Sequence, residues 1–183
     1  MPDDEEKERW EFCHKMAKRC RPIALFDDIP DRKKRDKFVL KMARRHFTEL
    51  GEQPRCVLFR ATLPSPKLFL MATLLDEETA PYADMLLRVM AKGFQAKQVY
   101  QLTEMWMAPD EGTRAMHHPE RKEAVMIIRE DATALPPICT WFADITRDEK
   151  GKPSLGEWYE MVGAAGRLTY VLPPEFYGKK HEA

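Results

Sequence analysis

The sequence predicts an α+β fold, a mostly antiparallel sheet with two N-terminal helices and one or two further helices. Three observations carry this. Apolar residues recur at helical spacing as far as Leu50; from about residue 55 the texture changes to short apolar runs divided by proline and glycine; and the strand-like runs follow one another with a single strong helical stretch after the first pair. The same change of texture divides the chain into a helical segment over 1–50, an α+β domain over 51–177 and a flexible tail over 178–183.

Residues 3–20 read as the first helix. Asp3, Asp4, Glu5 and Glu6 suit the positive end of the helix dipole, Lys15, Lys18 and Arg19 suit the other end, and Pro22 stops the helix. Trp10, Cys13, Ala17 and Cys20 align on one face, so that face is expected to be buried against the fold or a second subunit. After a loop over 21–30, Asp31 caps a second helix that runs to Leu50 and ends at Gly51. Val39, Ala43, Phe47 and Leu50 form its apolar stripe. Lys34, Lys37, Lys41 and Arg44 repeat at the same spacing and make a basic stripe. They belong to a run from Arg32 to Arg45 with eight basic residues and a single acid, Asp36.

Strands are expected over 56–63 and 68–75, paired as a hairpin through Pro64, Ser65 and Pro66. Thr79 opens a helix to about Lys92 with Tyr82, Leu86, Val89 and Met90 inward, and Gly93 ends it. Further strands are expected over 98–107, 122–130, 138–146 and 167–172. Ser154 and Glu157 have capping-box spacing and Leu155, Trp158, Tyr159 and Val162 have helical spacing, which predicts a short helix there.

Composition narrows the function. The 183 residues are 44% hydrophobic and 33% charged, with 30 basic and 30 acidic side chains, which excludes collagen-like and wholly disordered chains. Apolar runs such as 68–75 fall well short of the roughly 20 residues of a membrane helix. Together with an acidic rather than basic start, this predicts a soluble cytoplasmic protein without membrane association. The four cysteines, Cys13, Cys20, Cys56 and Cys139, include no Cys-x-x-Cys pair and read as reduced core thiols. Charge is uneven along the chain: residues 1–50 hold 14 basic and 11 acidic residues, a balance of +3, and the remainder balances at −3.

One stretch mixes acids, bases and potential ligands: Glu104, Trp106, Asp110, His117, His118, Arg121 and Glu123, on two strand ends and the loop between them. A catalytic centre there would use Glu104, His117 and His118 for acid–base or metal-assisted hydrolysis. Adjacent histidines on extended backbone diverge, and no His-x-x-x-His or His-Glu-x-x-His completes a zinc site, so no metal and no cofactor are expected. The bland account is a solvated loop over an ion pair between Glu104 and Arg121 across the ladder. No phosphate-binding loop, nucleophile elbow or dinucleotide loop is present.

The Glu-x-Trp of Glu104 and Trp106, with the His-Pro-x-Arg-x-Glu-Ala of His118, Pro119, Arg121, Glu123 and Ala124, resembles a strand-loop-strand of small uncharacterised bacterial and phage-type proteins. The resemblance implies no activity and no site residue. The expected function is therefore binding of a protein partner or self-association without chemistry of its own, with Trp106, Arg121 and the basic stripe as candidate contacts. The alternatives are the hydrolase just described and nucleic-acid binding through the stripe, against which the neutral net charge weighs.

Overall fold

The structure, a computed structural model, describes residues 4–18, 23–62, 65–72, 82–108, 118–161 and 171–177. In chain order the elements are α1 (Asp4–Ala17), β1 (Ala24–Asp27), α2 (Arg32–Leu50), β2 (Cys56–Ala61), β3 (Lys67–Ala72), α3 (Ala83–Gly93), β4 (Gln98–Met107), β5 (Lys122–Asp131), β6 (Ile138–Arg147), β7 (Pro153–Leu155), β8 (Tyr159–Glu160) and a 3-10 turn (Pro174–Phe176). The protein is α+β. Its sheet runs β1-β3-β2-β4-β5-β6-β7, with β8 also on β6, and every described pairing is antiparallel. No helix among the described residues is long and apolar enough to cross a membrane.

Side-chain alternation gives the sheet two buried faces. On one, α2 lays Val39, Met42 and Ala43 over Cys56, Leu58, Leu68, Leu70, Tyr100, Leu102 and Ile127. On the other, α3 brings Leu87, Met90 and Ala91 against Val57, Phe59, Met71 and Val99, joined by Val171 and Leu172. Asp31 caps α2 by accepting the Lys34 N–H at 2.7 Å, and Gly51 closes the helix at φ 75°, a left-handed conformation that glycine adopts without a Cβ penalty. Leu50, expected on the buried stripe, is 60% exposed because the helix ends there.

α1 packs on α3. Cys13 is fully buried, with Sγ 4.0 Å from the Tyr82 carbonyl oxygen, and the Phe12 and Tyr82 rings lie 5.2 Å apart. Ala17 meets the core beneath α3, while Trp10 is half-buried. Cys13 is thus the centre of the contact, and Cys20 lies outside the described residues. Cys13, Cys56 and Cys139 are free, buried thiols; burial pushes Cys56 and Cys139 up to about 12, far from the thiolate form.

Further sequence expectations are corrected. The segment before Pro30 is not all loop: Ala24–Asp27 forms edge strand β1 on β3. The expected helix from Ser154 is instead β7 and β8, because both short segments find strand partners on β6: Leu155 stands opposite Ile145 and Tyr159 opposite Phe142. Gly156 joins them in close contact, its N–H donating to the Asp144 carbonyl at 2.8 Å, and a Cβ there would come to 3.3 Å of that oxygen. Of the strand expected over 167–172, residues 167–170 lie outside the described residues, as does Val162 of the expected helix. Val171 and Leu172 are not in a strand; their N–H groups go to a side chain of β5.

Candidate functional site

The last residues of β4, the turn over 118–121, the start of β5 and the far half of β6 enclose an open cleft of about 810 Å³. Trp106, His118, Arg121, Lys122, Glu123, Asp144 and Arg147 contribute to its lining, so it holds most of the polar cluster marked in the sequence. His117 and Asp110 lie outside the described residues.

The turn explains much of the His-Pro-x-Arg motif. The Arg121 N–H donates to the His118 carbonyl at 3.2 Å with Pro119 between them, whose ring presets the backbone for a β-turn. The Glu120 N–H donates to His118 Nδ1 at 3.1 Å, so that ring nitrogen acts as an acceptor in the turn. Trp106 stands opposite Glu123 in the β4–β5 register, and Arg121, two residues earlier, lies diagonal to it. The guanidinium carbon consequently sits 4.6 Å from the centre of the Trp106 ring, a cation–π contact. Trp106 is 38% exposed. Ala124 is fully buried opposite Met105.

The acids of the cleft are engaged within the fold. Glu123 accepts from Arg147 Nε at 3.0 Å and Nη2 at 2.9 Å, and Asp144 accepts the Tyr159 hydroxyl at 2.9 Å. Burial is the first cause that raises the Tyr159 phenol, followed by the Asp144 hydrogen bond. The charged side chains of the cleft are thus Arg121, Lys122 and Arg147 with Glu123 and Asp144, the last keeping its negative charge beside the neutral Tyr159 hydroxyl.

Glu104 does not serve as the ladder partner of Arg121. It faces Val125 in the register, and its carboxylate accepts the Gln53 N–H just after α2. Its partner lies 51 positions away in sequence, beyond any local pattern. Of the residues of the hydrolase alternative, His118 lines the cleft, Glu104 is not among the described lining residues and His117 lies outside the described residues. Among the described residues no group of three or more His, Cys, Asp and Glu side chains is placed to hold a metal ion.

The basic stripe is divided. Lys34, Lys37 and Lys41 are exposed, but Arg44 turns toward β7, donating to the carbonyls of Leu155 at 3.0 Å and Gly156 at 2.6 Å with Glu157 at 3.8 Å. It acts as a clamp on the β7–β8 connection rather than as part of a free cationic surface.

Two buried ionic centres escaped the sequence reading. Asp36 of α2 accepts from Tyr100 Oη at 2.7 Å and from Arg129 Nη1 at 2.6 Å, and Arg129 lies 5.3 Å from the centre of the Trp141 ring. The neighbouring Arg35, 3% exposed, donates to the carbonyls of Ile29 and Pro30. Helical period was a usable signal here, since Arg35 falls in line with Val39, Ala43 and Phe47. Glu130, fully buried, accepts the N–H groups of Val171 at 2.6 Å and Leu172 at 3.0 Å and the Tyr177 hydroxyl. Burial pushes its carboxyl up to about 7, against the lowering effect of those N–H groups and of Arg88.

Compared with protein-family models, with curated proteins and with solved structures, the chain matches none.

Proposed function

We propose that this is a cytoplasmic binding module whose cleft takes an acidic, aromatic-bearing segment of a partner protein. The observation that carries the reading is Trp106, held partly exposed beneath Arg121 at the mouth of a cleft whose own acids are bonded to Arg147 and Tyr159. Trp and Arg are the side chains that most often anchor protein interfaces, because each offers a large contact area with a directional polar edge. A carboxylate-rich partner would meet Arg121 and Lys122, and an aromatic of the partner would pack on Trp106. Binding requires no proton transfer, which agrees with Glu104 being committed to Gln53.

The test is a titration of a fluorescent Glu- and Phe-rich peptide, followed by anisotropy at two salt concentrations. Saturable binding that weakens with salt and is lost in Trp106→Ala supports the module. Equal binding by wild type and Trp106→Ala refutes the cleft as its site. A second copy of the chain as occupant would show instead as concentration-dependent mass in sedimentation, reversed by the same substitution.

A further inference from the structure

A second concavity, on the opposite side of the sheet from α2, lies between α1 and α3. Val89 and Met90 form its buried floor with Phe94, Ala17 flanks it, and Trp10 stands over it beside His14, the two rings 6.1 Å apart. Phe94 is fixed from beneath, stacked on Phe69 at 4.9 Å and 16°. The groove measures about 470 Å³, within the range of small-molecule sites. Among the described residues its lining includes three basic side chains, His14, Lys18 and Lys92, and no acid. Lys92 Nζ lies 3.4 Å from Glu175, an exposed contact that an incoming anion can replace. Gly93 adds open space: a Cβ built on it meets nothing within 4 Å.

We propose that this groove binds a single-chain amphiphilic carboxylate, a free fatty acid, with the hydrocarbon along Trp10, Met90 and Phe94 and the head group held by Lys18 and Lys92. An apolar body with a cationic rim complements a ligand that is apolar along its length and anionic at one end. The polar side chains stand at the rim, and the floor of Val89, Met90 and Phe94 is apolar, so a hydrocarbon matches it better than the main-chain amides of a peptide. The site is independent of the Trp106 cleft, and each can fail without the other.

The experiment is calorimetric titration of the full chain with dodecanoate kept below its micelle concentration. Saturable one-to-one binding is expected. The Gly93→Leu variant, which places a side chain into open space on helical backbone, should keep the wild-type melting temperature and lose binding. Lys18→Gln with Lys92→Gln, both exposed positions, should keep the fold and weaken dodecanoate about tenfold or more, the loss expected when charge-assisted hydrogen bonds are removed. Dodecyltrimethylammonium, with the same chain and the opposite charge, should not compete. The proposal is overturned if wild type shows no saturable binding, if folded Gly93→Leu binds as wild type does, if the double lysine variant binds undiminished, or if the cationic amphiphile binds equally. Binding to anionic phospholipid vesicles without binding to monomeric dodecanoate would also overturn it, in favour of a membrane surface.

Discussion

Arg129 of β5 places Nη1 2.6 Å from Asp36 Oδ2 of α2, and both side chains are largely buried, at 9% and 14% exposed. Tyr100 donates to the other oxygen of the same carboxylate, so one acid joins α2 to two central strands. Removing a single partner of such a pair leaves an uncompensated buried charge. Asp36→Ala should therefore lower the unfolding free energy by about 3–5 kcal/mol, and Asp36→Asn, which keeps hydrogen-bonding atoms, by less. Urea unfolding followed by circular dichroism measures both. A loss no larger than that of an exposed-site control would show that Asp36 is not the tie.

How much of this was legible depends on the length of the pattern. β4, β5 and β6 are ten-residue strands, long enough for the apolar runs to define them, and their expected bounds match to within a residue. β1 has four residues, too few to show alternation in the sequence. Leu155, Trp158 and Tyr159 fall at helical spacing because β7 and β8 follow one another along β6 with a three-residue interruption, 156–158, that breaks the strand alternation; only Gly156 within it speaks against a helix. Trp106 and Arg121 were marked in one motif, and the structure joins them. Glu104 was marked too, but its partner was not, since nothing local predicts a contact with the backbone of Gln53. Asp36 stands out in the sequence as the lone acid of a basic run, while Glu130 is one residue of the expected strand over 122–130 with no local sign of its role. Long-range pairing with Arg129 and with the backbone of 171–172 is what allows each to be buried.

Arg44 should separate from the lysines of its stripe. Its guanidinium satisfies two carbonyls of the β7–β8 connection, so Arg44→Ala is expected to cost about 1–2 kcal/mol. Replacing exposed Lys34, Lys37 and Lys41 by Gln should change stability by no more than about 0.5 kcal/mol each. Thermal melts of the four variants decide the matter; equal losses across the stripe would contradict the clamp.

Glu130 sets a pH dependence with a definite sign. Its carboxyl is held up at about 7 in the folded protein, against an ordinary value of 4.5, so the folded state binds the proton more tightly than the unfolded chain. Its contribution is therefore greatest below pH 4.5 and is lost as pH rises through about 7. Subtracting the Glu130→Gln profile from that of wild type, with unfolding measured at several pH values, should isolate a component that falls across this window. A flat difference would place the carboxyl's titration elsewhere.

The Trp106–Arg121 contact should contribute to binding far more than to stability. Both side chains are exposed, and a solvent-facing cation–π pair is worth about 0.5–1 kcal/mol, so the coupling energy from Trp106→Ala, Arg121→Ala and the double variant should stay within that range on unfolding. In peptide titrations each single variant should instead lose roughly tenfold or more, because truncating a central Trp or Arg anchor commonly costs over 2 kcal/mol. The two effects distinguish an interface from a structural cap. If the single variants lose several kcal/mol of stability while folded fractions bind the peptide unchanged, Arg121 over Trp106 is part of the fold's own packing and the cleft needs another explanation.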